Sequence, residues 1–312
     1  MVDVLQHVTV LRDAAVDALS VKAGGVYIDG TYGRGGHSEK IAKQLGSDGS
    51  LLVIDKDPVA IADAKSRFAN DSRLSVFHGS FAQLSEALEQ NQLPQTFDGL
   101  LLDLGVSSPQ IDDGARGFSF QRDGALDMRM NPQQGLSAAT WIATATESEM
   151  LEVLWKYGDE RFARRIVRSI LETRDEKPLE TTLQLANLIS AAVPRKFHGK
   201  KHPATKSFQA IRIFINEELA DLEKCLEVAV ERLNPGGRLV VISFHSLEDR
   251  MVKRYFKKCS SPPVLPRGLP VMDSTLDMPF KLVGKAIKPG VDEVEENVRS
   301  RSSVMRILER AA

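Results

Sequence analysis

The sequence predicts an α/β protein: a doubly wound parallel sheet interrupted by an all-helical insertion and finished by a C-terminal antiparallel hairpin. Three observations predict it. Strands and helices alternate through the first 104 residues, only loops and helices follow between Gly105 and Lys206, and alternation then resumes to end on two apolar stretches.

Val10, Leu11, Ala14, Ala15, Ala18 and Leu19 recur at helical spacing. A strand follows at Val26 to Asp29, then a Gly-rich turn and a helix carrying Ile41 and Leu45. Ser50 to Asp55 is the second strand, and Asp57-Pro58 supplies an N-cap and a first-turn proline for the helix with Ile61, Ala64 and Phe68. Arg73 to His78 and Phe97 to Leu104 are the third and fourth strands, separated by a helix near Leu84 to Leu88. Such alternation implies a parallel sheet covered on both faces.

In the helical stretch, Thr146-x-x-Glu149 and Thr181-x-x-Gln184 have the form of capping boxes, and Asp159 is placed to cap the Phe162, Ile166, Ile170 stripe. A long helix from about Ser207 to Leu233, the turn Asn234 to Gly237 and the strand Arg238 to Ser243 restore the α/β pattern. A helix near Ser246 to Lys258 follows, and Lys281 to Ile287 with Ser303 to Leu308 form the expected hairpin. The expected domains are residues 1–105 and 207–312, two parts of one α/β domain, with residues 106–206 inserted as a helical substrate-recognition domain.

With 312 residues, 42% of them hydrophobic, the chain buries a sizeable core. It contains no leader-like segment and no apolar run of about 18 residues, so a cytosolic location is expected and a membrane partner is not. Cys225 and Cys259 lack metal-ligand or disulfide-framework spacing and are expected as reduced thiols, with no metal site. Residues 1–104 hold nine Lys/Arg against 14 Asp/Glu, and the remainder 32 against 28, which directs a polyanion to the later part of the chain.

The turn Asp29-Gly30-Thr31-Tyr32-Gly33-Arg34-Gly35-Gly36-His37 lies where the first strand hands over to its helix. Glycines admit a ligand close to the backbone, and the helix start offers unpaired N–H groups. Its spacing departs from G-x-G-x-x-G, since Ser38 stands at the third glycine's place. Asp55 closes the second strand 22 residues after Gly33, where a carboxylate reaches a ribose diol. A nucleoside-bearing cofactor follows. His78 to Phe81 and Asp103 to Gln110 end the third and fourth strands at the same crevice.

Pro194 to Asn216 holds six cations and no acid, including Arg195, Lys196, Lys200, Lys201 and Lys206. Arg250 to Met272 holds six more, including Lys253, Arg254 and Lys257, again without an acid. Two such runs flanking one sheet point to phosphate-backbone binding. Arg161, Arg164, Arg165 and Arg168 alternate with acids and are expected as a solvated face. Ser243, His245 and Asp249 are too close in sequence to converge as a triad, so Ser246 is expected as an N-cap. Phe118, Phe120, Met128 and Met130 follow the Ser-Ser-Pro turn and suit either a core or a base-contacting loop.

These stretches together resemble the ribosomal RNA small-subunit methyltransferase H family, also called MraW, nearly end to end. The resemblance is carried by His7 to Leu11, Ile28 to Ser38, Leu102 to Gln110, Arg116 to Phe120, Leu126 to Met130, Tyr157-Gly158, His202 to Thr205, Pro235 to Arg238 and Ile242 to Arg250. It implies a class I methyltransferase (Rossmann-like) fold, S-adenosylmethionine as donor, and N4 methylation of a cytidine in the decoding region of bacterial 16S rRNA. The implied partner is that rRNA, within the small subunit or a late assembly intermediate, and a homodimer is compatible with it. The implied cofactor residues are Gly35, Gly36, His37, Asp55, Phe81, Asp103 and Gln110, to which the turn adds Asp29 and Gly33.

Amino-directed methyltransferases resemble one another in a polar-Pro-Pro-aromatic motif after the fourth strand. Ser107-Ser108-Pro109-Gln110 takes that place here without the aromatic, and Phe118 or Phe120 is the candidate for stacking on the base. Asp103, Ser107, Ser108 and Pro109 are therefore the catalytic candidates. Asp103 is expected first to hold the cofactor's amino-acid end and second to accept a proton. An NAD-dependent oxidoreductase, sharing the glycine turn and Asp55, and a noncatalytic RNA-binding or assembly module are the alternatives.

Overall fold

The structure, a computed structural model, describes residues 9–262 and 278–312. In chain order, α1 (Arg12–Leu19), β1 (Val26–Asp29), α2 (Gly36–Gln44), β2 (Ser50–Asp55), α3 (Pro58–Arg67), β3 (Leu74–His78), α4 (Leu84–Gln90) and β4 (Phe97–Asp103) come first. Helices follow: α5 (Ser108–Asp112), α6 (Ala138–Thr144), α7 (Glu147–Gly158), α8 (Ala163–Glu176), α9 (Thr182–Ala192), α10 (Thr205–Ile215) and α11 (Glu218–Arg232). The chain ends with β5 (Leu233–Ser243), α12 (Ser246–Ser260), β6 (Phe280–Leu282), α13 (Val291–Glu296) and β7 (Val304–Arg310). These elements form two compact units, one of the described residues up to Gly105 and from Ala220 onward, the other Val106–Leu219.

The first unit is built on a seven-stranded sheet of order β3-β2-β1-β4-β5-β7-β6. The first five strands in that order pair in parallel, while β7 is antiparallel to both β5 and β6. Period-two alternation splits its residues between two apolar cores. Ile28, Leu52, Ile54, Leu100 and Leu102 pack with Leu84, Leu222 and Phe256, whereas Tyr27, Leu51, Val53, Leu101 and Val240 pack with Val16, Leu19 and Ile41. From β1 the chain moves outward to β2 and β3, then returns to place β4 on the other side of β1. That reversal opens a crevice at the carboxyl ends of β1 and β4.

The expected hairpin forms through β6 and β7, and Ile287 rejoins Met305 by an isolated bridge. The four residues Asn234 to Gly237, expected as a turn, instead bulge from within β5: Phe97 pairs with Leu233 but Gly99 already with Arg238. Pro235 lacks a ladder donor and Gly236 takes φ 72°, so extra residues are expelled while the strand continues.

In the second unit, α7 packs on α8 and α10, and α8 on α9, around Trp141, Met150, Leu154, Ile166, Ile170, Leu185, Ile189 and Phe208. Thr146 and Thr181 make the expected capping boxes with Glu149 and Gln184. Asp159 does not cap α8. It terminates α7 in the left-handed region at φ 45°, and the Glu160 carboxylate accepts the Phe162 N–H at 2.9 Å instead.

The single helix expected from Ser207 to Leu233 is two helices. Asn216 ends α10, its amide donating to the Met128 and Arg212 carbonyls at 2.8 and 2.9 Å, and Glu217 takes φ 53°. Arg212 clasps Glu218 through two 2.7 Å bonds across the break. The units consequently divide between Leu219 and Ala220 rather than at residue 206, because α10 belongs to the helical core.

Candidate active site

Three carboxylates close three adjacent parallel strands: Asp29 on β1, Asp55 on β2 and Asp103 on β4. Parallel strands of matched register bring their last residues to one edge, which is why residues far apart in sequence meet here. The turn after β1 stitches them together. Thr31 donates its N–H to Asp29 Oδ1 at 3.1 Å, and its hydroxyl oxygen accepts the Asp103 N–H at 2.6 Å. Gly33 N–H reaches Asp55 Oδ2 at 2.8 Å, and Asp57 N–H reaches Asp55 Oδ1 at 2.8 Å.

Each carboxylate has its own electrostatic setting. Asp29 is fully buried beneath the turn, with Ser38 Oγ donating to it at 2.5 Å, and burial pushes it up to about 6 against those hydrogen bonds. Asp29 therefore anchors the turn from behind. Burial also pushes Asp55 up to about 6, opposed by the N–H groups of Asp57 and Gly33. Asp103 is raised well above the ordinary carboxylate range, by burial first and then by the carboxylates of Asp29, Glu248 and Glu293. Its Oδ1 is buried without a hydrogen-bond partner, while Oδ2 lies 3.9 Å from His37 Nδ1.

The glycines fit the turn for distinct reasons. Gly33 and Gly35 have φ of 55° and 75°, a region costly for L side chains. A Cβ on Gly35 would sit 2.7–2.8 Å from the Tyr32 ring, and one on Gly36 would collide with the Thr9 hydroxyl. Tyr32 is itself fixed by a 2.6 Å bond to Asp63 Oδ2. His37 is buried at the start of α2, its Nε2 3.2 Å from the Val10 carbonyl. Phe81 opens a short 3-10 turn after β3, beside Ser80, whose hydroxyl donates to Asp221 at 2.5 Å.

Asp29, Gly33, Gly35, Gly36, His37, Asp55, Phe81 and Asp103 thus all belong to the first unit. Ser107, Ser108, Pro109 and Gln110 belong to the second, where they start α5: Ser107 is its N-cap, and the Gln110 side chain accepts the Ser107 N–H at 2.9 Å. Sequence reasoning missed Glu248 and Glu293. Glu248 was legible as a possible partner of its own turn, for His245, not Ser246, caps α12, with Glu248 accepting the Phe244 and His245 N–H groups. Glu293 accepts the Leu11 N–H at 2.6 Å, and nothing in sequence connects it to Asp103.

The two basic runs fold into different units. Arg195, Lys196, Lys200, Lys201 and Lys206 are exposed in the helical unit, because the chain there belongs to its core-forming segment. Lys253, Arg254 and Lys257 are exposed on α12 of the other unit, and Arg267 lies outside the described residues. Phe120 packs against Phe208 and His202, with centroids 4.7 Å from each, so it serves the core; Phe118 is half-buried with Arg116 5.8 Å above its ring. Met128 is fully buried, and the Met130 N–H is held by Asn216.

These residues fit S-adenosylmethionine. A ribose diol suits a strand-end carboxylate, and a cationic amino-acid end suits a buried, partnerless oxygen among several acids. Among the described residues no helix is long and apolar enough to cross a membrane.

The MraW methylase family matches residues 4–311. A ribosomal RNA small subunit methyltransferase H from Marinomonas sp. is 53% identical over 98% of each chain, and one from Thioalkalivibrio sulfidiphilus is 54% identical over the same shares. A solved rRNA methylase from Streptococcus thermophilus covers 96% of this chain and 95% of its own at 10% identity with a TM-score of 0.43, too loose a likeness to bear on function. By that end-to-end match and those identities, the chain belongs to the MraW methylase family, with S-adenosylmethionine as its methyl donor.

Proposed function

We propose that the protein methylates N4 of a cytidine in the decoding region of 16S rRNA, presented within the small subunit or a late assembly intermediate. Membership of a methylase family removes the nicotinamide alternative. The observation that carries the site assignment is the partnerless Oδ1 of Asp103 at the end of β4, whose carboxyl is raised by burial and by the charge of Asp29, Glu248 and Glu293.

When bound, S-adenosylmethionine supplies a methyl group already activated by the sulfonium charge. Asp55 holds the ribose hydroxyls, and Gly33, Gly35 and Gly36 give the backbone close approach. Asp103 holds the ammonium end, which restores its ionised form. The exocyclic amine of cytosine is a weak nucleophile because its lone pair is delocalised, so alignment matters more than base strength. Ser107, Ser108 and Pro109 orient that amine, Phe118 stacks on the base, and Asp103 is the secondary acceptor for the departing proton. Gln110, in this reading, fixes the Ser107 turn and so supports the cofactor indirectly. Asp29 positions Thr31 and Ser38 rather than touching the ligand.

Labelled methyl transfer to unmodified small-subunit particles, followed by nucleoside mapping, tests this. The expected product is N4-methylcytidine. Label on another nucleoside overturns the position, and no transfer to any particle returns the protein to an assembly role. In single-turnover transfer at saturating cofactor and RNA, Asp103→Asn is expected to lose about a hundredfold or more, and Ser108→Ala less. A wild-type rate for Asp103→Asn would place the chemistry elsewhere.

A further inference from the structure

The helical unit carries an aromatic surface that the site above does not use. Trp155 on α7 is 46% exposed, and Phe197, in the 3-10 turn Arg195–Phe197, is 42% exposed. Single exposed rings are unremarkable in themselves, but these carry cations on their faces. Arg161 lies over both Phe162 and Phe197, its guanidinium carbon 5.6 and 4.8 Å from the ring centroids. The two rings are 5.0 Å apart. Arg164 lies 5.7 Å over Trp155, and Lys196 5.3 Å over Phe197.

The alternation of arginines and acids at this place predicts a solvated face, on which neighbouring ion pairs would neutralise the charge. Among the described residues, only Arg168 of the four arginines makes such a pair, with Glu172 at 2.8 Å. Between residues 155 and 168 stand five cations against Asp159 and Glu160, and Glu160 is buried. The exposed charge is therefore positive. Beside Trp155, a groove of about 530 Å³ runs along α7, lined by Ser148, Leu151, Glu152, Trp155 and Lys156. Its volume lies in the range of clefts that hold small organic rings.

We propose that the surface formed by Trp155, Phe162 and Phe197 with Arg161, Arg164 and Lys196 binds unpaired RNA. Bases stack on the exposed rings, and the cations, already poised on those rings, take the adjoining phosphates. This combination favours a polyanion with π faces over a protein partner, whose interface core would be poor in charge. The surface rests on the rRNA reading and deepens it: a grip on single-stranded RNA in the helical unit, built from residues that carry no part of the methyl transfer.

The test uses the full-length protein with a fluorescent single-stranded oligoribonucleotide and, beside it, an RNA duplex of equal length. Trp155→Ala and Phe197→Ala are each expected to weaken single-strand binding about tenfold, as for one lost stacking contact, with duplex binding and S-adenosylmethionine affinity unchanged. Unchanged single-strand affinity in both variants overturns the surface, as does an equal loss on the duplex. Ultraviolet crosslinking of the unmodified protein needs no substitution. Crosslinks at Trp155, Phe162 or Phe197 support the surface, and crosslinks confined to other segments overturn it. Methyl transfer to small-subunit particles, measured in parallel, separates the two ideas: transfer that persists without stacking loss sinks the surface alone, while absent transfer sinks the rRNA reading whatever the oligonucleotides do.

Discussion

Asp55 faces two opposing demands, because burial favours its neutral form while the N–H donors of Asp57 and Gly33 favour the carboxylate. Pushed up to about 6 from an ordinary 3.8, it takes up a proton in the folded protein over a pH window where the unfolded chain has lost it. Asp29 behaves alike. The folded state thus binds more protons between about pH 4 and 6, and their contribution to stability, at most ~3 kcal/mol each, is present at low pH and lost as pH rises through 6. Cofactor affinity runs the other way. Hydrogen bonds from a ribose to an ionised carboxylate, at about 1.5–3 kcal/mol each, require that the proton leave, so affinity is expected to fall about tenfold per unit below pH 6. Titration calorimetry from pH 5 to 7.5 checks it. Asp55→Ala is expected to bind roughly ten- to a hundredfold more weakly at neutral pH, and Asp55→Asn to make the pH dependence shallower, leaving the part that Asp103 contributes. Affinity that stays constant below pH 6 in the unsubstituted protein would remove Asp55 from the site.

The turn into α2 shows how an element depends on what packs over it. Gly35 is committed twice, by its φ of 75° and by the Tyr32 ring that fills the space a Cβ would need. Gly36 is committed by Thr9, whose hydroxyl occupies the corresponding place. Gly35→Ala is expected to cost about 1–2 kcal/mol from the left-handed backbone alone, more with the ring displaced, and to lower the midpoint of thermal unfolding even without cofactor. Equal unfolding midpoints for Gly35→Ala and the unsubstituted protein would mean that the turn tolerates a side chain. The sequence made this turn legible because glycines and a strand-end acid are local signals. Strands β1 to β4 were equally legible, since continuous apolar runs bounded by Asp and Gly leave few alternatives. The break between α10 and α11 was not, because Asn216 and Glu217 sit in good helical sequence and the break is made by the distant Met128 carbonyl. For the same reason Glu293 was invisible: its charge acts on Asp103 from 190 residues away in sequence, and no spacing records that.

Across the whole molecule, charge is nearly balanced in each unit as well as in total. Residues 106–219 hold 16 Lys/Arg against 15 Asp/Glu, which leaves 25 against 27 for the rest. Neither unit therefore attracts RNA by net charge, and any phosphate contact is local, made where cations stand without acids. Such stretches are visible in the sequence as runs, but the unit each one folds with is not: Arg195 to Lys206 folds with the helical unit and Lys253 to Lys257 with the sheet. This local origin has a measurable consequence. RNA affinity is expected to fall linearly with salt on a log–log plot, and each phosphate contact removed should lower the slope by roughly 0.7–0.9. Lys200→Gln with Lys201→Gln reads the helical unit, and Lys253→Gln with Arg254→Gln reads α12. If both runs touch phosphate, each double variant lowers the slope by a similar amount and the four substitutions together lower it by the sum. S-adenosylmethionine affinity should stay level across the same salt range, because Asp55 and Asp103, the carboxylates proposed to hold it, are shielded from bulk ions. A slope changed by only one pair would confine the RNA to that unit, and a slope changed by neither would return both runs to ordinary solvated surface.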